Sequence, residues 1–119
     1  MDMVSEEHPG CLVVEIHAPE VDITVSEEFK EGVIALYDHR GSRNLALDLA
    51  NVSFMDSQAI GAMVAIRKAV VRKGGKMGLC NLHPHVRKIV HVVKWPFVRK
   101  AAAHAAGKDL PAGNEEARG

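Results

Sequence analysis

The chain has 119 residues, of which 47% are hydrophobic and 25% are charged, so it is long and apolar enough to fold as one globular domain. Fifteen basic residues balance fifteen acidic ones, and this zero net charge gives no overall attraction to nucleic acid or to an anionic membrane. No apolar run approaches the roughly 20 residues that span a bilayer, and the acidic, polar start is unlike a signal peptide. We therefore expect a cytoplasmic protein that binds neither nucleic acid nor membranes.

The first half of the chain predicts two strands separated by a helix. Segment 11–18 is rich in β-branched residues, which favours a strand, and a short extended piece follows it. Thr24 and Glu27 have the spacing of a capping box, which predicts the start of a helix that ends before the polar turn 39–44. Segment 45–49 alternates in polarity between turn residues and predicts a second long strand.

The second half predicts two more helices around another strand. A helix is expected over 57–73, with Gly74–Gly75 as its stop, and segment 76–80 follows as a strand. A third helix begins near Pro84, with apolar residues at helical spacing. In this helix we expect burial of Val86, Ile89, Val90 and Val93 and exposure of Arg87, Lys88 and His91.

The end of the chain is less regular. Segment 97–106 fits either a short strand that runs into a helix or a single helix, and propensity does not separate the two. Residues 107–119 contain too few apolar side chains to offset the entropy of ordering them, so we expect a disordered tail after a domain that covers 1–106. The alternation of strands and helices predicts an α/β fold.

Several residues could be mistaken for ligand sites. Cys11 and Cys80 lie among apolar residues, which favours reduced, buried thiols over a disulfide or a zinc site. His83 and His85 have no third ligand nearby, so a solvated turn is the better interpretation. The basic run 67–76 fits the polar face of a helix and lacks a Gly-rich phosphate motif. We therefore predict no metal and no cofactor.

Asp56 and Ser57 lie between a predicted strand and the helix over 57–73. Functional groups of α/β folds gather where a strand leads into the following helix. Either side chain could instead cap the helix by accepting hydrogen bonds from the free N–H groups of its first turn. Both interpretations are open on the residues alone.

Residues 45–93 resemble the central part of a STAS domain, the fold of the bacterial anti-sigma-factor antagonists. The segment has the family's motifs in the family's order and spacing. These are a hydrophobic strand, FMDS, a helix, GG, a strand that ends in cysteine, and NLHPHVRKI. The segment PEVDIT at 19–24 is similar to another motif of the family. The resemblance implies one domain with a mixed sheet of four to five strands and helices packed mainly on one face.

The resemblance also implies a function and a site. The family's modified serine matches Ser57, which would be phosphorylated by a partner that is both a serine kinase and an anti-sigma factor. The unphosphorylated chain would bind that partner, and a serine phosphatase is a further expected partner. The residues expected to contact the partner are Asp22, Asp56, Ser57, Gln58 and Ile60.

Two other functions compete with this one. A STAS scaffold or transporter-associated subunit, in which Ser57 only caps the helix, is favoured by Gln58 and Ala59, where the family usually has serine or threonine and then glycine. An enzyme with Ser57 as nucleophile is disfavoured because no histidine occupies a base position and the G-x-S-x-G elbow is missing. We predict a regulatory binding module that is not an enzyme.

Overall fold

The computed structural model describes residues 1–92, residue 95 and the backbone of residues 98–99. Strands and helices alternate along most of the chain, which confirms the α/β prediction. The elements are β1 (Met3–His8), β2 (Cys11–Ile16), β3 (Glu20–Val21), α1 (Ser26–Arg40), β4 (Asn44–Asp48), β5 (Phe54–Met55), α2 (Ser57–Arg72), β6 (Met77–Cys80), α3 (Pro84–Val92) and β7 (Val98–Arg99).

Five of the strands form one mixed sheet in the order β1-β2-β4-β6-β7. β1 pairs with β2 in antiparallel orientation, and the other neighbours are parallel. The two remaining strands, β3 and β5, form a separate parallel pair. The predicted mixed sheet of four to five strands is confirmed.

The helices share one face of this sheet. Alternate residues of β2, β4 and β6 point to that face, as the period of two requires, and they belong to the same hydrophobic core as the buried sides of α1, α2 and α3. The opposite face contributes a smaller buried cluster formed by Cys11, Val13 and Ala46. The core therefore explains why the helices lie mainly on one face, as predicted.

The edge strand β1 was not predicted. Its sequence, MVSEEH, is polar, and its side chains are half-buried or exposed. An edge strand that packs only on one side can carry charged residues, which also discourage pairing with another chain. Its place in the sheet depends on the antiparallel pairing with β2 and on Met3, which is partly buried against the core.

The three predicted helices are present. α2 ends at Arg72, and Gly74 follows with φ of 82°, a conformation that glycine adopts without strain. In α3, Val86 and Val90 are buried, and Lys88 and His91 are exposed, as predicted.

Two other side chains of α3 differ from the prediction. Ile89 packs at the margin of the core and is only partly buried, and Arg87 is half-buried rather than exposed. Val93 lies outside the described residues.

The predictions for the end of the chain are tested only in part. Residues 98–99 form β7, which pairs with β6. The rest of segment 97–106 and the expected tail at 107–119 lie outside the described residues. Cys11 and Cys80 are buried thiols that are not joined in a disulfide. Among the residues that the structure describes, no helix combines the length and apolarity needed to cross a membrane.

Candidate functional site

Two loops meet at the carboxyl ends of β3 and β5. These strands are parallel, with Glu20 paired to Phe54 and Val21 paired to Met55. Each strand is followed within a few residues by a helix, α1 after β3 and α2 after β5. The strand pairing therefore brings together two loops that are more than thirty residues apart in sequence.

Asp56 joins these two loops. It is the N-cap residue of α2, with extended backbone, and its Oδ1 accepts a hydrogen bond of 3.0 Å from the N–H of Ala59. Its Oδ2 accepts a hydrogen bond of 3.0 Å from the N–H of Ile23, in the loop before α1. A carboxylate at this end of a helix is also favoured by the helix dipole. Asp56 thus holds the start of α2 and the opposite loop with one side chain.

Asp22 shapes the loop before α1. Its Oδ1 accepts hydrogen bonds from the Thr24 N–H, at 3.0 Å, and from the Thr24 hydroxyl, at 2.6 Å. These hydrogen bonds favour the charged form and lower the pKa of Asp22 below its ordinary value. Asp22 is therefore ionised at neutral pH.

The capping box predicted for α1 is wrong. The N-cap residue is Val25, which makes no side-chain capping hydrogen bond, and the Thr24 hydroxyl donates to Asp22 instead of accepting from the helix. A short acidic side chain that bonds the backbone two residues later forms a turn that competes with helix capping. Asp22, rather than Thr24, therefore organises the approach to α1.

Ser57 lies at the exposed start of α2, as predicted. It is the first helical residue, one position after the cap, and its hydroxyl makes no hydrogen bond to any residue that the structure describes. The interpretation of Ser57 as the helix cap is wrong, because Asp56 fills that role. The folded chain leaves the Ser57 hydroxyl available to solvent and to another molecule.

The other residues expected at this surface differ in accessibility. Gln58 is exposed beside Ser57. Ile60 is 8% exposed and belongs to the hydrophobic core, so its side chain has little area to offer a partner. This placement agrees with the helical period of α2 rather than with the expected contact role of Ile60.

Two apolar side chains at this surface were missed by the sequence analysis. Ile23 is 65% exposed in the loop that Asp56 holds. Phe54 in β5 is partly exposed, and its ring stacks on that of His85 with 5.1 Å between the ring centroids. The pattern Asp22-x-Thr24 is typical of a turn, and it could have indicated that Ile23 leaves the strand.

The two histidines predicted to lie in a solvated turn have different neighbours. A ring nitrogen of His83 lies 3.0 Å from the Ala50 carbonyl oxygen, whereas His85 stacks on Phe54. Both side chains are exposed. Within the described part of the chain, no three potential metal-binding residues lie together.

Comparison with known proteins agrees with this architecture. The chain is 29% identical over 85 residues to the anti-sigma F factor antagonist of Paenibacillus polymyxa, which covers 71% of this chain and 72% of that protein. The structure of the anti-sigma factor antagonist SpoIIAA in its unphosphorylated form matches with a TM-score of 0.73 at 20% identity, over 88% of this chain and 92% of the other. At that identity the match shows a shared fold.

A domain of a much larger protein is also similar. The murine anion transporter Slc26a9 matches with a TM-score of 0.64 and 28% identity, over 73% of this chain but only 14% of the transporter. The model of the STAS domain family matches residues 2–100, which is most of the chain. The resemblance found in the sequence is therefore confirmed, and the chain belongs to the STAS domain family.

Proposed function

We propose that the chain is an anti-sigma-factor antagonist that is controlled by phosphorylation of Ser57. In its unmodified form it binds an anti-sigma factor with serine kinase activity, and transfer of phosphate to Ser57 ends this binding. The observation that supports the proposal best is the division of roles at the start of α2. Asp56 makes the capping hydrogen bond, and the exposed Ser57 hydroxyl is left without a structural partner among the described residues.

The isolated domain should tolerate the phosphate. Phosphorylation adds about −1.5 to −2 charges at neutral pH. The N-terminal end of a helix favours negative charge, because its N–H groups and the helix dipole both point toward the anion. The fold of α2 therefore does not depend on the unmodified hydroxyl.

The complex with the anti-sigma factor should not tolerate a phosphate on Ser57. A partner that covers Ser57 would have to bury a dianionic group beside the carboxylate of Asp56, and burial of unpaired charge is costly. Asp22, Asp56, Ser57 and Gln58 form the polar part of the proposed contact surface. Ile23 adds exposed apolar area at its centre, and apolar area that leaves water on binding provides most of the favourable free energy.

The proposal is tested by phosphorylation of the purified chain. The chain is isolated from its own cells together with the bound anti-sigma factor, an ATPase with serine kinase activity. The complex is incubated with ATP and magnesium, and the site of any phosphate is mapped by mass spectrometry. Ser53 is a control, because it is also exposed and lies four residues before Ser57, although β5 separates the two and the Ser53 hydroxyl donates to the Pro19 carbonyl oxygen. Phosphate on Ser57 together with release of the ATPase is the expected result.

Two variants separate binding from modification. Ser57→Ala should bind the ATPase as the wild type does and should resist release by ATP. Ser57→Asp should bind more weakly, because it introduces a charge into the surface, although a single carboxylate is less than a phosphate. A serine phosphatase should restore binding of the phosphorylated wild type. Equal affinity of all forms, with no release by ATP, would reject the switch.

A second candidate is a scaffold subunit of a larger assembly. The match to 73% of this chain within an anion transporter favours it. Because Asp56 is the cap, this candidate gives Ser57 no structural role and predicts that Ser57→Ala changes neither stability nor assembly. Co-purification of membrane transporter subunits instead of a soluble ATPase would favour the scaffold.

A further inference from the structure

Within the part of the chain that the structure describes, helix α2 has a second face that is exposed. Its buried side packs into the core, whereas five residues on the other side are exposed at successive spacings of four, three, four and three. We name this row the α2 stripe, and it consists of Ser57, Gly61, Val64, Lys68 and Val71. Val64 is 38% exposed and Val71 is 52% exposed. Spacings that alternate between three and four are typical of residues at which two helices pack together.

No contact among the described residues requires glycine at position 61. A glycine inside a helix is less stable than alanine, because it loses more conformational freedom on folding. A Cβ atom built on Gly61 would meet no atom within 4 Å, so alanine would fit. Gly32 in α1 differs, because a Cβ atom there would lie 2.8 Å from the Met3 Cε. An alanine at position 32 would therefore displace the end of the Met3 side chain, whereas no contact among the described residues requires glycine at position 61.

The charges of α2 indicate the chemistry of a partner. Between Ser57 and Arg72 the helix has three basic residues, Arg67, Lys68 and Arg72, and no acidic residue. A second copy of the chain that packed α2 against α2 would offer these charges no acidic residue of the helix in either orientation, and a parallel pairing would bring them together. An acidic helix would complement them.

We propose that the α2 stripe binds an acidic, amphipathic helix of the anti-sigma factor. Gly61 is the point of closest approach, Val64 and Val71 make the apolar contacts, and Lys68 pairs with an acidic side chain. The inference rests on the proposed function, because Ser57 is one end of the stripe. Gly61 lies four residues, or about 6 Å, along the helix from Ser57. A phosphate on Ser57 would therefore stand at the end of the bound helix.

The test compares Gly61→Ala and Val64→Ala with Val92→Ala in the full chain, by titration against the purified anti-sigma factor and by thermal unfolding. Val92 is an exposed valine on α3, away from the stripe. Gly61→Ala should raise the melting temperature by roughly 3–5 °C and yet weaken binding about tenfold. Val64→Ala should weaken binding to a similar extent, and Val92→Ala should bind within about twofold of the wild type.

Charge is tested in the same titration. Lys68→Glu should weaken binding more than Lys88→Glu, which changes an exposed lysine on α3. If both glycine and valine variants bind like the wild type while ATP still releases the complex, the stripe is refuted and the phosphorylation switch stands. If the variants disrupt self-association but not the complex, the stripe binds a second copy and the inference is wrong. If the wild type binds no anti-sigma factor, the proposed function itself fails.

Discussion

Replacement of Asp56 by alanine should destabilise the fold more than replacement of Ser57. Asp56→Ala removes a helix cap, which is worth about 0.5–2 kcal/mol, because the Ala59 N–H loses its acceptor. It also removes the hydrogen bond from the exposed Ile23 N–H, which water can partly replace, so this loss adds roughly 0.5–1 kcal/mol. The expected total is about 1–3 kcal/mol.

The assay is urea and thermal unfolding of both variants beside the wild type. For a domain of this size, each kcal/mol lowers the melting temperature by roughly 4–5 °C, so Asp56→Ala should melt about 4–15 °C lower. Ser57→Ala removes a hydroxyl without a described partner and should change stability by less than about 0.5 kcal/mol. Asp56→Asn should fall between them, since asparagine also caps helices well.

The opposite order would refute this reasoning. If Ser57→Ala lost more than about 1 kcal/mol while Asp56→Ala lost less than about 0.5 kcal/mol, Ser57 would be the cap in solution. The claim that the isolated domain tolerates phosphorylation of Ser57 would then lose its support, because modification of a capping hydroxyl would disturb the helix itself.

Three further predictions concern single side chains. The pKa of Asp22 is lowered by its hydrogen bonds from Thr24. Its contribution to stability is therefore present above the ordinary pKa of 3.8 and is lost as the pH falls through the lower, folded value. Asp22→Asn should reduce the fall in the free energy of unfolding at acidic pH, as measured by urea unfolding. Ile89→Ala should lower the free energy of unfolding by only about 1–2 kcal/mol, because Ile89 is partly buried. Met63 is fully buried, so Met63→Ala should lower it by about 2–5 kcal/mol. Equal losses would contradict the difference in burial between Ile89 and Met63. Burial raises the pKa of Cys11 to about 12, so iodoacetamide at pH 8 should label it slowly in the folded chain and rapidly in urea, as read by mass spectrometry.

The helices were predictable because burial imposes a strong period on them. The core positions of α2 and α3 recur every three or four residues, and the structure buries Met63, Ile66, Val86 and Val90 as that period requires. β1 was not predictable in this way. Although Met3 packs against the core, the segment MVSEEH shows no alternation of apolar and polar residues, and its pairing partner is set by the neighbouring strand β2.

The site was predictable in position but not in the roles of its residues. Aspartate and serine both cap helices well, so the sequence could not decide between Asp56 and Ser57. The backbone decides, because Asp56 is extended and Ser57 is already helical. Ile60 had two predicted roles, as part of the apolar side of α2 and as a partner contact, and its burial agrees with the first.

The contact between the two loops could not be predicted, because β3 and β5 have only two residues each and pair across more than thirty residues. In the folded chain, Asp56 holds Ile23 in place before any partner arrives. A preformed surface binds more tightly than one that must be ordered on binding. At a temperature where both variants are folded, Asp56→Ala should therefore bind the anti-sigma factor more weakly than Ser57→Ala, which keeps the loop ordered. Equal affinities in a calorimetric titration would show that the ordered Ile23 loop does not contribute to binding.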